Sequence, residues 1–157
     1  MKWLNHEASS RVLASGRLSN WFVDTDPFFE DIQVRDMIVE VWAQRILRDM
    51  AAGVEDKKEV RIFGVPTGGV RWAQALWLRL RDRSLLLHEY RDKRYAETYI
   101  VDDVLTTGST IKSLGADGEP VLIVVKREIA ETLKIESSVT AWMYVKLPIG
   151  SEGRNAD

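Results

Sequence analysis

Two adjacent carboxylates, Asp102 and Asp103, interrupt an otherwise apolar and small-residue stretch of this chain, which runs from Tyr99 to Thr110 as YIVDDVLTTGST. The apolar residues before them, Tyr99-Ile100-Val101, predict a buried strand that ends at the acids. Neighbouring carboxylates repel each other and need cations or hydrogen-bond donors close by. The pair is therefore suited to accepting hydrogen bonds from sugar hydroxyls or to holding Mg²⁺.

The residues after the acid pair, Thr106-Thr107-Gly108-Ser109-Thr110, are small and rich in hydroxyl groups, and a short helical pattern begins at Ile111. Free backbone N–H groups at a helix start, with the helix dipole behind them, suit a phosphate. Small side chains let the phosphate approach the backbone, and the hydroxyls add donors. An alternative interpretation is that a Ser or Thr here only caps the helix. Acids and loop together fit a sugar phosphate.

A second glycine-rich turn, GVPTGGV from Gly64 to Val70, follows a predicted strand at Val60-Arg61-Ile62-Phe63. Between a strand and a helix, Thr67, Gly68 and Gly69 form a second candidate anion site. Tight-turn geometry at such a junction is an alternative explanation for the glycines. The helix that follows has a predicted apolar face made of Val70, Ala73, Trp77 and Leu80.

Two groups of basic residues come after other predicted strands. Arg91 and Lys93 lie in the segment HEYRDKRYAE from His88 to Glu97, and Arg127 lies in Lys126-Arg127-Glu128. Fixed cations stabilise a leaving group that carries negative charge, and a guanidinium can bind a carboxylate bidentately. The alternatives are a solvated polar loop for the first group and an ordinary surface Arg at a strand end for the second.

The elements that must position these residues alternate along the chain. A short strand at Trp21-Phe22-Val23 is followed by a helix that Asp26-Pro27 opens, with Asp26 as its N-cap. Apolar strands, the last at 139–147, then alternate with helices, including a short one at 129–135. This order predicts an α/β fold with a mainly parallel sheet covered on both faces. All candidate groups fall at the carboxyl ends of strands, where such sheets bind ligands.

Composition excludes several other function classes. The 157 residues carry a net charge of −2, which argues against a dedicated nucleic-acid surface. There is no Cys for thiolate chemistry, and the two His residues, far apart in sequence, form no metal-spaced cluster. No apolar run approaches the ~20 residues of a membrane span, and the first residues lack the apolar core of a signal peptide. We expect one cytoplasmic domain at 1–149 and a disordered polar tail at 150–157.

The stretch from Tyr99 to Thr110 closely resembles the 5-phosphoribosyl-1-pyrophosphate (PRPP) motif of type I phosphoribosyltransferases. A second stretch, SGRLSNWFVD from Ser15 to Asp24, resembles an N-terminal motif of the orotate phosphoribosyltransferases. The resemblance covers roughly residues 12–147. It implies the type I phosphoribosyltransferase fold with a small N-terminal hood at about 1–26, Mg²⁺ dependence, PRPP and orotate as substrates, and a homodimer.

The resemblance also implies a role for each matched position. Asp102 and Asp103 would hold the ribose hydroxyls and, mostly through PRPP, the metal. Thr106-Thr107-Gly108-Ser109-Thr110 would bind the 5′-phosphate. The pyrophosphate would contact Thr67, Gly68 and Gly69, with Arg91 and Lys93 favouring its departure. The base would be contacted by Phe22, Val23, Thr106 and Arg127.

The sequence departs from the family pattern in several places, among them Lys126, where the family commonly has Asp, and a short helix after the phosphate loop. Ala14 and Gly68 stand where many orotate enzymes carry a Lys, and only the residues from His88 to Glu97 stand where those enzymes have a long mobile lid. Three hypotheses follow from the sequence: a compact orotate phosphoribosyltransferase, a phosphoribosyltransferase for a purine or another base, and a non-catalytic PRPP-binding regulatory protein. The short lid and missing lysines favour the third, whereas the acid pair and phosphate loop favour the enzymes.

Overall fold

The structure is a computed structural model that describes residues 2–12, 18–53, 59–90, 97–128 and 137–146. Several predictions from the sequence fall outside these ranges: the roles of Arg91 and Lys93, the helix at 129–135, the missing lysine at Ala14 and the tail at 150–157. They stay predictions. Within the described ranges, no helix combines the length and apolar character needed to cross a membrane.

A five-stranded, entirely parallel sheet forms the centre of the molecule, in the order β4-β3-β5-β6-β7. Because all five strands run the same way, their carboxyl ends meet at one edge of the sheet, as the sequence predicted. The strands are β3 (Val60–Gly64), β4 (Ser84–Leu87), β5 (Thr98–Leu105), β6 (Val121–Glu128) and β7 (Val139–Lys146).

Helices lie on both faces of this sheet, as the alternating pattern predicted. Successive strand residues point to opposite faces, so Tyr99 packs in one core with Trp42 and Trp72, while Ile100 packs in another with Ile111. The predicted α/β fold class is thereby confirmed. The helices are α1 (Asp26–Glu30), α2 (Ile32–Ala52), α3 (Gly68–Arg79) and α4 (Ser109–Ser113), with a 3-10 turn at Arg81–Arg83.

The prediction of one helix opened by Asp26 as N-cap was wrong, because the chain forms two helices here. Thr25 occupies the N-cap position of α1, and Asp26 and Pro27 are its first residues. Asp31 then adopts an extended backbone and accepts a hydrogen bond from the Val34 amide, 3.2 Å away, with its side chain. An Asx cap of this kind ends one helix and begins the next.

The apolar face predicted for α3 was partly wrong. Val70 is 38% exposed, and the buried residues are Gly69, Trp72, Ala73 and Leu76. Gly69 lies directly on β5, where a Cβ atom would meet the Val101 carbonyl oxygen at 2.2 Å. This close approach fixes the rotation of the helix and points Trp72 into the core.

A separate two-stranded antiparallel sheet precedes α1. It consists of β1 (Leu4–Val12) and β2 (Leu18–Val23). The Asp24 amide donates to the Trp3 carbonyl at 2.7 Å, and the Trp3 ring packs 5.9 Å from that of Phe28. We call this two-stranded sheet the hood. It stands beside the carboxyl edge of the main sheet, where β2 contributes to the site described next.

Candidate active site

A cavity of about 300 Å³ opens at the carboxyl edge of the parallel sheet. Its walls come from β2, the β3–α3 turn, β5 with the following loop, and β6. It brings together every sequence-predicted site residue that the structure describes, except Gly69. The lining residues are Phe22, Val23, Val65, Pro66, Thr67, Gly68, the run from Asp102 to Thr110, and Arg127.

The acid pair lies inside β5 and not beyond its end, which corrects the predicted boundary. The strand continues to Leu105 because its last residues still pair with β6, Val104 with Val125 and Leu105 with Lys126. Each carboxyl group accepts a hydrogen bond from the backbone amide of the next residue. The distance is 2.8 Å both from the Asp103 amide to Asp102 Oδ1 and from the Val104 amide to Asp103 Oδ1.

Burial raises the pKa of Asp102 to about 9, and the adjacent charge of Asp103 pushes it in the same direction. Asp102 is therefore protonated at neutral pH and can donate one hydrogen bond as well as accept others. Asp103 receives a further contact from the buried Thr25, whose hydroxyl lies 3.4 Å from its second oxygen. Two carboxyl groups with different hydrogen-bonding capacity suit a ligand that presents several hydroxyls.

The loop after β5 turns sharply at Gly108 and places small, hydroxyl-bearing residues at the start of α4. Gly108 occupies the N-cap position of α4 with φ at 85°, a left-handed conformation that glycine adopts without strain. The Ser109 amide donates to the Thr107 hydroxyl at 3.2 Å, and that hydroxyl donates to the Ser109 hydroxyl at 3.1 Å. The Thr107 hydroxyl thus caps the first amide of α4 although Gly108 occupies the N-cap position, which agrees with the capping interpretation. The helix begins at Ser109, two residues before the predicted start at Ile111.

The β3–α3 turn packs tightly against the acid pair. A Cβ atom on Gly68 would meet a carboxylate oxygen of Asp103 at 2.1 Å. The missing lysine at this position thus has a local reason, because in this arrangement any side chain would overlap Asp103. Thr67 next to it is exposed, and the Pro66–Thr67 peptide bond is cis. The turn places exposed backbone beside the acids, where the sequence predicted the pyrophosphate.

Arg127 is one of the largest fully buried side chains, at 2% exposure, so its interpretation as a surface Arg was wrong. Strand β6 runs through it to Glu128, because Arg127 still pairs with Val145 of β7. The guanidinium reaches the hood, where it donates to the Trp21 carbonyl at 3.0 Å and to the Ser19 hydroxyl at 2.7 Å. Phe22 and Val23, the predicted base contacts, directly follow Trp21 on β2.

Two contributors were missed in the sequence, Ser19 and Thr25. Ser19 stands within the motif SGRLSNWFVD, so its place in a ligand-binding motif was a usable signal. Thr25 gave no such signal, because a Thr before Asp-Pro is what an ordinary helix start also shows. Its contact with Asp103 spans 78 positions of the chain and depends on how the hood and β5 pack together.

The donors at the site fit a magnesium ion that arrives with its ligand. Among the residues that the structure describes, no group of three or more His, Cys, Asp or Glu side chains could hold a metal. Asp103 offers one carboxylate, and Asp102 could offer a second on losing its proton. Mg²⁺ is commonly bound through one or two carboxylates together with substrate phosphates, so this site could hold it mainly through a bound diphosphate.

Comparison with curated proteins finds similarity to an orotate phosphoribosyltransferase. No protein-family model matches the chain. The orotate phosphoribosyltransferase of Aeropyrum pernix is 30% identical in a match of 115 aligned positions that covers 64% of this chain. The matched segment spans 56% of that relative, little more than half of its length.

Solved structures show the same architecture. The crystal structure of the Aeropyrum pernix enzyme has a TM-score of 0.61 at 22% identity and covers 90% of this chain and 88% of its own. Leishmania donovani UMP synthase has a TM-score of 0.61 at 16% identity, covering 90% and 33%. Leishmania tarentolae adenine phosphoribosyltransferase has a TM-score of 0.54 at 14% identity, covering 90% and 83%.

This chain therefore has the fold of the type I phosphoribosyltransferases, as its resemblance to them implied. Within that fold, the sequence match adds a specific likeness to the orotate phosphoribosyltransferase of Aeropyrum pernix.

Proposed function

We propose that this protein is an orotate phosphoribosyltransferase, which transfers the phosphoribosyl group of PRPP to orotate and releases orotidine 5′-monophosphate and pyrophosphate. The observation that carries the proposal is the convergence in one cavity of the acid pair, the phosphate loop, the glycine turn and Arg127. The 30% identity to an orotate phosphoribosyltransferase supports the choice of base.

In this proposal the loop from Thr106 to Thr110 grips the 5′-phosphate. Its amide and hydroxyl donors surround the left-handed turn at Gly108. Asp102 and Asp103 engage the ribose hydroxyls, with the protonated Asp102 as donor or acceptor and Asp103 fixed by the Val104 amide. Phosphate and ribose held at two points leave the anomeric carbon little freedom, which lowers the entropic part of the barrier.

The chemical step breaks the bond between the anomeric carbon and the pyrophosphate oxygen and forms a bond from that carbon to a ring nitrogen of orotate. The electron pair of the broken bond leaves with pyrophosphate, which the turn from Thr67 to Gly69 would bind, and the ring nitrogen of orotate releases its proton to solvent. Arg91 and Lys93 would stabilise its charge. Mg²⁺, held by the diphosphate and the acid pair, would supply further charge neutralisation. No side-chain nucleophile is required, so catalysis rests on positioning and electrostatics.

The base would occupy the side of the cavity between the hood and β6. Phe22 and Val23 would offer backbone contacts, Thr106 a second contact, and Arg127 would orient the orotate carboxylate. We further propose that the protein acts in the cytoplasm, in pyrimidine nucleotide biosynthesis, as a homodimer. These properties come with the resemblance to orotate phosphoribosyltransferases.

A second candidate is a PRPP-binding regulatory protein without turnover. The observation in its favour is the short connection from Leu87, at the end of β4, to Thr98, at the start of β5. A lid that closes over the site excludes water from the reaction, and residues 88–97 give little length for one. A third candidate is transfer to a purine, since an adenine phosphoribosyltransferase shares the fold.

Consumption of orotate and of purine bases, each offered with PRPP and Mg²⁺, distinguishes these candidates. The wild type is measured together with Arg127→Ala and Arg127→Lys. The proposal expects orotate consumption that falls at least about tenfold in Arg127→Ala, because a charged hydrogen bond contributes about 1.5–3 kcal/mol, while PRPP binding by calorimetry persists. Orotate use that Arg127→Ala leaves unchanged would refute the assignment of this residue. Purine use would support the third candidate, and PRPP binding without any turnover the second.

A further inference from the structure

Ser19 is at the centre of a group of hydrogen bonds that joins the hood to the parallel sheet. Its hydroxyl accepts from an Nη atom of Arg127 at 2.7 Å and from the Trp21 amide at 3.0 Å, and it donates to the Trp21 carbonyl at 3.0 Å. The other Nη atom of Arg127 donates to that same carbonyl at 3.0 Å. Ser19 is 1% exposed and Arg127 is 2% exposed, so the bond between them is shielded from water, while the bonds to Trp21 are partly buried.

These bonds fix two parts of the base-binding side relative to each other. The guanidinium forks onto one hydroxyl and one carbonyl of β2, which restrains its plane as well as its position. Phe22 and Val23 follow Trp21 directly and line the same cavity as Arg127. Ser19 contacts both Arg127 and the residue before Phe22, although Ser19 itself does not line the cavity.

We propose that Ser19 is a positioning residue for the base: its hydroxyl holds Arg127 and the hood strand β2 in the geometry that receives the base. This inference rests on the proposed function, in which the base lies between the hood and β6. Groups arranged before the ligand arrives bind it without a further ordering cost. Removing the hydroxyl should therefore weaken the base end of the ligand and leave the phosphate end unchanged.

Three variants isolate this role. Ser19→Ala removes the hydroxyl, Ser19→Thr keeps it, and Asn20→Ala is the matched control. Asn20 neighbours Ser19 on β2, and its side chain donates to the Glu7 carbonyl at 3.0 Å within the hood. The control thus loses a hydrogen bond of the hood that does not involve Arg127.

Steady-state kinetics give the first readout. For Ser19→Ala we expect the KM for the base to rise at least about tenfold, which corresponds to one lost hydrogen bond to a charged group. The KM for PRPP should stay within about twofold, Ser19→Thr should restore most of the base affinity, and Asn20→Ala should resemble the wild type. An equal rise in both KM values, or the same change in Asn20→Ala, would overturn the proposal.

The wild type separates failure of this inference from failure of the proposed function. If it uses another base in place of orotate, the orotate assignment fails and the Ser19 variants are measured with that base. If it uses none, calorimetry compares orotidine 5′-monophosphate with ribose 5-phosphate, which lacks the base. Ser19→Ala should weaken only the nucleotide, and equal weakening of both ligands, or no preference for the nucleotide in the wild type, would refute the role of Ser19.

Discussion

Polar side chains at the two ends of the parallel sheet differ in the partners that they find within the chain. At the amino end, Arg45 of α2 donates to Asp49 at 2.9 Å, to the Thr140 hydroxyl at 2.6 Å and to the Ser138 hydroxyl at 3.0 Å. The Tyr99 hydroxyl donates to the same Asp49 oxygen at 2.7 Å. A cation, an anion and three hydroxyls thus form one network that joins α2 to β5 and β7.

At the carboxyl end, two acids stand side by side on β5. Burial raises the pKa of Asp102, and the charge of Asp103 adds to the effect. Burial also raises the pKa of Tyr99 at the amino end, and its bond to Asp49 acts in the same direction. A Tyr side chain is neutral near pH 7 without any shift of its pKa. The raised pKa of Asp102, in contrast, keeps protonated a carboxyl group that is ionised in an ordinary Asp.

The comparison indicates that the amino end contributes stability and the carboxyl end contributes function. Polar groups that find partners within the chain reinforce the fold, and local arrangements that oppose folding tend to lie at functional sites. A ligand with hydroxyls, phosphate and a cation would supply the partners that the acid pair needs. Mutations at the two ends should then separate activity from stability.

The largest effect is expected for Asp103→Asn, which removes the carboxylate beside Gly68 and Thr25. We expect phosphoribosyl transfer to fall about 10²- to 10³-fold, as is typical when one preorganised electrostatic contact is lost. The free energy of unfolding, measured by urea titration, should not fall, because the change removes the Asp103 charge that helps to raise the pKa of Asp102. A variant that unfolds readily would show instead that the acid supports the fold.

Gly68→Ala tests the close packing of the glycine turn on the acid pair. The added Cβ atom would stand 2.1 Å from an Asp103 oxygen in the present arrangement, so the carboxylate or the turn must shift. A displacement of about 1 Å can cost up to about 10²-fold in rate, and we expect a loss in kcat/KM of about 10- to 100-fold. Thr67→Ala is the control, because it changes an exposed side chain of the same turn and leaves the backbone of the turn in place. Wild-type kinetics in Gly68→Ala would contradict the packing argument.

Asp49→Ala tests the amino end. It removes the acceptor of both Arg45 and Tyr99, and we expect a loss of about 2 kcal/mol in the free energy of unfolding. Tyr99→Phe removes one of those hydrogen bonds and should cost about 1 kcal/mol. Both variants should keep wild-type kcat and KM at temperatures well below their Tm. If a fully folded variant lost activity, the amino end of the sheet would contribute to activity as well as to stability.

Asp102→Asn tests the raised pKa. The pKa is 3.8 for an ordinary Asp and about 9 for Asp102 in the folded protein. Between these values the folded state keeps a proton that the unfolded state has released, so stability falls as pH rises through that window. Asn does not titrate, and its variant should be more stable near pH 7 by at least about 1 kcal/mol, or about 2–4 °C in Tm.

The free energies of unfolding of the wild type and Asp102→Asn should converge near pH 4, because Asp102 is then increasingly protonated in the unfolded state as well. The pH dependence of Tm should be flatter in Asp102→Asn than in the wild type. Parallel curves over this range would contradict the raised pKa of Asp102.

The parallel sheet and the gathering of the site at its carboxyl edge were predictable, because both follow from local pattern. Apolar runs such as Tyr99-Ile100-Val101 identify strands, and parallel strands place their following turns at one edge. The boundaries were less predictable. Strands β5 and β6 extend past Asp102 and into Arg127 because neighbouring strands continue to pair with them, which is a property of the sheet and not of the segment.

Contacts between distant segments could not be read from the sequence. The burial of Arg127 depends on the hood closing over it, and its partner Ser19 lies 108 positions away. The division of the first predicted helix at Asp31 depends on a side-chain cap that competes locally with a continuous helix.

Transfer of a phosphoribosyl group to orotate at the carboxyl edge can be followed by the ultraviolet absorbance of orotate. The assay contains the protein, PRPP and Mg²⁺, and the double variant Asp102→Asn/Asp103→Asn is measured beside the wild type. We expect a steady loss of orotate absorbance in the wild type and none in the double variant. Unchanged absorbance in the wild type, with PRPP binding still detected by calorimetry, would contradict orotate transfer.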